Sequence, residues 1–143
     1  MNFNSQICTT RVQSERLLAL GLKKETADMH YPTISEDEHT IRACWEDFWD
    51  SRKAIDGYIR RRCIPAWSLH RLIEMIPITV PDKSGITHFF TIDGAGDISY
   101  YYFGEESWEN WKSWYQKELY DNVIDCFEWL IKEGHFNTEY LEE

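Results

Sequence analysis

No run of apolar residues in this 143-residue chain approaches the roughly 18 that a membrane span needs, so no membrane role is expected. The opening Met-Asn-Phe-Asn-Ser-Gln lacks the basic and apolar regions of a secretory signal. The expected location is therefore cytoplasmic. Cys8, Cys44, Cys63 and Cys126 form no Cys-x-x-Cys pair, which removes the usual signature of a zinc ribbon or a thioredoxin-type redox pair. Each lies beside apolar residues, and four reduced, mostly buried thiols are expected. Positive charge is also scarce: 15 Lys+Arg stand against 25 Asp+Glu, a formal net charge of −10. That balance opposes binding to phosphate backbones, whose affinity comes mainly from Lys and Arg. The triplet Arg60–Arg62 is too short to reverse it, so no direct nucleic-acid binding is expected.

The length fits one globular domain over 1–143, long enough to bury a core. Leu, Ile, Val and Phe together number 33, about 23% of the chain, just above the roughly 20% below which disorder is expected. There is no internal repeat, low-complexity tract or linker. The acidity is uneven: residues 25–50 hold one basic and eight acidic residues, 51–83 hold seven basic and three acidic, and 84–143 hold three basic and thirteen acidic. A solvated, solubilising surface accounts for the acidic blocks. An alternative is a surface that engages a basic partner or imitates nucleic acid.

Thr10 and Gln13 have the capping-box form and Gly21 supplies a stop, predicting a helix over 11–20 with an apolar face of Val12, Leu17, Leu18 and Leu20. A short helical turn is expected between Leu22 and Tyr31, ending at Pro32. Ser35 with Glu38 repeats the capping-box form, and Ile41, Trp45, Phe48 and Trp49 follow at helical spacing, predicting a helix over 36–53. Tyr58–Ile64 stays open between an extended segment and a continuing helix. Between Pro65 and Pro77, Leu69, Leu72, Ile73 and Ile76 form one stripe of a further helix. Ile86–Ile92 and Ile98–Phe103, joined by Asp93-Gly94-Ala95-Gly96-Asp97, read as a β-hairpin. Trp108, Trp111, Tyr115 and Leu119 again lie at helical spacing. Tyr120, Val123, Ile124, Phe127, Leu130 and Ile131 form a tighter stripe ended by Gly134, and Asn137–Leu141 adds a turn. The expected class is α+β, with four or five helices packed on a small antiparallel β-hairpin sheet.

Chemistry-bearing patterns are sparse. His30, His39, His70, His88 and His135 form no His-Glu-x-x-His or comparable pair, and His39 beside Glu36, Asp37 and Glu38 reads as a solvated helix start. Ser68 and His70 sit two apart, on different sides of a helix, with no Gly-x-Ser-x-Gly elbow; Ser68 reads as a cap. Gly94-Ala95-Gly96 lacks the helix and Lys of a phosphate loop. No carboxylate pair stands out as general acid and base. No catalytic residue, metal site or cofactor is assigned, and a non-enzymatic role is expected.

Aromatic residues are the unusual feature: seven Trp, eight Tyr and seven Phe. Seven Trp cannot all be fully buried in so small a domain, because Trp usually keeps an edge wet. A large aromatic core with amphipathic boundary residues explains many of them. An exposed aromatic patch forming a protein or oligomer interface is the functional alternative, where Trp and Tyr are favoured anchors. The candidate binding residues are Trp108, Trp111, Trp114 and Tyr115; of these, Trp111, Trp114 and Tyr115 cover more than one face of the helix expected there. Base stacking on these rings would need basic neighbours, and Glu105, Glu106 and Glu109 are the opposite.

Three stretches resemble known sequences: Thr-Arg-Val-Gln-Ser-Glu-Arg-Leu-Leu-Ala-Leu-Gly and its continuation over 10–31, Ile-Pro-Ala-Trp-Ser-Leu-His-Arg-Leu-Ile-Glu-Met-Ile-Pro over 64–77, and 121–141 around Val-Ile-Asp-Cys-Phe-Glu-Trp-Leu-Ile-Lys-Glu-Gly. They resemble a family of small uncharacterised bacterial proteins found in prophage and mobile-element gene neighbourhoods. The resemblance covers well under half of the chain and carries no catalytic residues. It implies a cytoplasmic accessory protein acting on a partner. The expected function is accordingly a non-enzymatic interaction protein that binds a protein partner or itself through an aromatic-rich surface. Its alternatives are an acidic nucleic-acid mimic that occupies a basic partner, and a small-molecule-binding protein or enzyme with a Trp/Tyr-lined pocket. A contiguous exposed Trp108/Trp111/Trp114 patch would favour the first, carboxylates evenly spaced along 105–143 the second, and a deep pocket with convergent His and carboxylate groups the third.

Overall fold

In the computed structural model the described residues are 6–32, 41–44, 48–49 and 63–143. They fall into two compact units. One is the described part of Met1–Ile73 together with Thr138–Glu143; the other is Glu74–Asn137.

The first unit begins with α1 (Arg11–Ala19). Its start is held by a reciprocal capping box, in which the Gln13 N–H donates to Thr10 Oγ1 at 3.2 Å and the Thr10 N–H donates to Gln13 Oε1 at 3.0 Å. Its end is turned by Gly21, whose φ of 94° is left-handed and suits glycine. The face it buries is Gln13, Ser14 and Leu17 rather than the apolar set expected: Val12 and Leu18 are exposed. Hydroxyl chemistry explains the inversion. Ser14 bonds Thr9 at 2.8 Å, and Thr9 in turn accepts the Trp67 N–H, so the helix docks through a polar network.

A 3-10 turn at Lys24–Thr26 leads into β1 (Met29–Tyr31), the centre of a three-stranded antiparallel sheet with β2 (Arg42–Ala43) and β3 (Ile64–Ala66) on either side. Pro65 therefore does not open a helix; it sits in β3, on the edge of the sheet, where a missing N–H costs no ladder bond. Trp67, fully buried, donates its indole N–H to Thr26 Oγ1 at 2.9 Å. Ser68 caps α2 (Leu69–Met75), accepting the Arg71 N–H while donating to Asp28 at 2.5 Å. The chain end is pinned to the same unit where Lys23 donates to the Tyr140 carbonyl and Glu142 to that of Gly21.

The second unit is an antiparallel sheet in the order β4 (Thr79–Pro81), β5 (Thr87–Ile92), β6 (Ile98–Phe103), β7 (Trp108–Trp114), covered by α3 (Leu119–Lys132). Its first two hairpins use one turn design. Asp82 Oδ1 accepts the N–H groups of Ser84 and Ile86, and Asp93 Oδ1 accepts those of Ala95 and Asp97. Gly85 and Gly96 each follow at the third position with φ of 85°. A Cβ on Gly96 would also lie 3.3 Å from Leu119 Cβ, so this turn lets the start of α3 approach the hairpin.

The expectation of four or five helices on a small hairpin is thus corrected. The described residues hold three α-helices and two antiparallel sheets of three and four strands. The largest change is at 108–114, a strand rather than a helix. Tyr100 faces Lys112 while Tyr101 faces Asn110, which leaves Trp111 as an extra, bulged residue. The bulge breaks the two-residue alternation that would mark a strand, and the remaining Trp spacing imitates a helix. The helix expected over 36–53 falls mostly outside the described residues; within it, Arg42 and Ala43 pair with His30 and Met29 as strand.

Replacing Trp67 by Ala in the first unit is expected to lower unfolding free energy by about 3–5 kcal/mol. Thr26→Val, which removes the indole's acceptor together with the hydroxyl's own bond to the Lys23 carbonyl, should cost about 1–3 kcal/mol. Denaturant titration checks both, and a Trp67→Ala loss below about 1 kcal/mol would contradict the packing described.

Candidate interaction surface

Strand alternation divides the second unit's sheet into two faces. His88, Phe90, Ile98, Tyr100 and Tyr102 point to one, and Phe89, Tyr101 and Phe103 to the other. The helix α3 can cover only one. Its buried stripe of Tyr120, Val123, Ile124, Phe127 and Leu130 marks that side as the core, each fully buried side chain there contributing about 1.5–3 kcal/mol.

Trp129 of α3 is the hub of the covered face. Its ring centroid lies 5.9 Å from Tyr100, 5.3 Å from Trp111 and 5.6 Å from Trp114. The Lys112 ammonium sits 5.9 Å over it. The bulge is what lets Trp111 and Trp114 both reach this side. Tyr100 is fully buried and donates to the Pro77 carbonyl at 2.6 Å; burial raises its pKa, with the nearby Cys126 adding to the rise. His88 is buried between Trp111, 4.3 Å away, and Tyr102, 5.1 Å away.

The other face carries a run of rings open to solvent. Phe89 lies 6.4 Å from Tyr101, Tyr101 4.7 Å from Trp108, and Trp108 4.9 Å from Phe103. Phe89, Phe103 and Trp108 are 45%, 61% and 62% exposed. Three adjacent strands place these four side chains, so their spacing is fixed by the ladder rather than by a loop. Toward the opposite end of the same face the row is Thr91, Ser99 and Ser113, a hydroxyl surface.

At the aromatic end, the β6–β7 turn adds carboxylates. Tyr102, Phe103, Gly104, Glu105, Glu106, Ser107 and Glu109 line a shallow cleft of about 750 Å³. Tyr102 donates to Glu109 Oε2 at 2.5 Å, and that bond, followed by partial desolvation, raises its phenol pKa above the ordinary 10.0. Across the β4–β5 turn, burial pushes the Asp82 carboxyl upward, but the N–H donors of Ile86 and Ser84 and the His88 ring outweigh it and hold its pKa below the ordinary value.

The four candidate residues do not form one patch. Trp108 belongs to the open run. Trp111 and Trp114 pack on Trp129. Tyr115 is exposed beyond β7, in a second cleft of about 280 Å³ with Lys117 and Asp125. Phe89, Tyr101 and Phe103, which complete the run with Trp108, were not among the candidates. Their signal lies in the hairpin itself, since both of its strands place aromatic residues at consecutive positions and so on both faces. Among the described residues no three His, Cys, Asp or Glu side chains gather as a metal-ligand set.

Trp129→Ala is expected to cost about 3 kcal/mol, and Trp108→Ala about 0.5–1 kcal/mol, in denaturant unfolding. Equal costs would contradict the assignment of faces. For Tyr102, the raised pKa means the Glu109 bond contributes stability below about pH 10 and loses it as pH rises through the folded-state value. Subtracting the alkaline absorbance titration of Tyr102→Phe from that of the parent should therefore isolate a late-ionising tyrosine, moved earlier by Glu109→Gln. A difference curve at the ordinary position would contradict the bond. Comparison of the chain with family models, with curated proteins and with solved structures finds no match in any of the three.

Proposed function

We propose that this chain is a non-enzymatic interaction protein that docks a protein partner on the open aromatic face of the four-stranded sheet. The supporting observation is the continuous run Phe89–Tyr101–Trp108–Phe103, with three of its rings 45–62% exposed. Scattered single apolar residues on a surface need no explanation, whereas a contiguous patch of large rings does. Aromatic rings also bury much area for little conformational entropy, which makes them the usual anchors of interfaces. The anchors of this reading are Trp108 and Phe103, with Tyr101 and Phe89 extending the contact. It is consistent with the accessory role that the resemblance over 10–31, 64–77 and 121–141 implies.

Selection of a displayed random-peptide library on the whole protein tests it. Enriched peptides should lose about tenfold or more in affinity, equivalent to about 1.4 kcal/mol, on Phe103→Ala/Trp108→Ala. Thermal unfolding of that variant should stay close to the parent's. Absence of enrichment, or peptides indifferent to the double substitution in a folded variant, would overturn the reading.

A further inference from the structure

The open face is uncharged, and the charge around its aromatic end is net negative. Thr79, Thr91, Ser99, Asn110 and Ser113 share the face with the four rings, so no Lys or Arg lies on it. At its aromatic end stand Glu105, Glu106 and Glu109; the β4–β5 turn at the same end adds Asp82 and Lys83, which cancel. The unit Glu74–Asn137 contains no Arg and four Lys against twelve Asp+Glu. Of those lysines, Lys117 is tied to Asp125 at 2.7 Å and Lys112 lies over Trp129 on the covered face.

Resting on the reading of this face as a docking surface, we infer that its partner presents an extended segment bearing Lys or Arg. Ring faces attract cations through their quadrupole, and the aliphatic stems of Lys and Arg cover apolar surface. The carboxylates at 105 and 106 steer and orient such a segment, while that of Glu109 is held by Tyr102 on the covered side. A second copy of the chain docking through this same face brings the same carboxylates and no cation. A nucleic acid brings phosphates against carboxylates, and ring stacking of bases needs basic neighbours. Pairing along a sheet edge is disfavoured at both sides, by Pro81 on β4 and by the bulge at Trp111 on β7. The occupant therefore lies across the face.

Fluorescence anisotropy of the whole protein with three labelled peptides of equal length, alternating Lys-Thr, Gln-Thr or Glu-Thr, and with labelled oligothymidylate tests this. The Lys peptide should bind about tenfold or more tighter than the Gln peptide, and the gap should narrow as salt rises. Trp108→Ala and Glu105→Gln/Glu106→Gln should each weaken the Lys peptide. Equal binding of Lys and Gln peptides overturns the cationic partner and leaves the docking surface standing. Preference for the Glu peptide or the oligonucleotide overturns it, as does Lys-peptide binding that Trp108→Ala leaves unchanged, because the attraction would then be diffuse charge. Failure of every probe overturns it as well, while the library selection judges the docking surface separately.

Discussion

A four-stranded sheet has two faces, and in the second unit of this chain one helix covers only one of them. Which face is covered is decided by Trp129, whose ring is packed against Tyr100, Trp111 and Trp114. The apolar stripe of α3 would settle on any greasy surface; the aromatic hub fixes it on this one. Everything of functional interest follows from that choice, because among the described residues no helix buries the rings left on the far side.

Two local devices make the arrangement possible. The Asp-x-x-Gly turns at 82–85 and 93–96 fix the register of three strands, and with it which residues share a face. The Trp111 bulge then breaks that register in the last strand. Without it, Trp111 and Trp114, three residues apart, would point to opposite faces, and Trp129 would lose one of its partners. The same bulge blunts the exposed edge of β7, where a regular strand with free backbone groups invites pairing with other chains.

Much of this was legible in the residues. The Thr10–Gln13 capping box, the stripe from Tyr120 to Ile131 and the hairpin around Asp93–Asp97 all appear where their patterns place them. Local hydrogen bonds and a single strong period govern those elements, and sequence carries both. The strand at 108–114 was hidden because a bulge removes its period. The strand at 64–66 was hidden because proline signals a helix start more often than an edge. The first hairpin could have been found: Asp82-Lys83-Ser84-Gly85 repeats the spacing of Asp93-Gly94-Ala95-Gly96. The open aromatic run is harder to see, since aromatic residues at consecutive positions supply both faces and only tertiary packing selects one. Trp108 was accessible to sequence reasoning as an unusual residue; its partners Phe89, Tyr101 and Phe103 were not, because they come from different strands.

Hydroxyl-radical footprinting of the isolated protein, read by residue-level mass spectrometry, distinguishes an open Trp108 face from a closed Trp129 face. Trp108 and Phe103 should oxidise fast, and Tyr100 and Phe127 should be strongly protected. Protection of Trp108 and Phe103 comparable to that of Tyr100, at a concentration where the protein sediments as a monomer, would contradict an open Trp108 face.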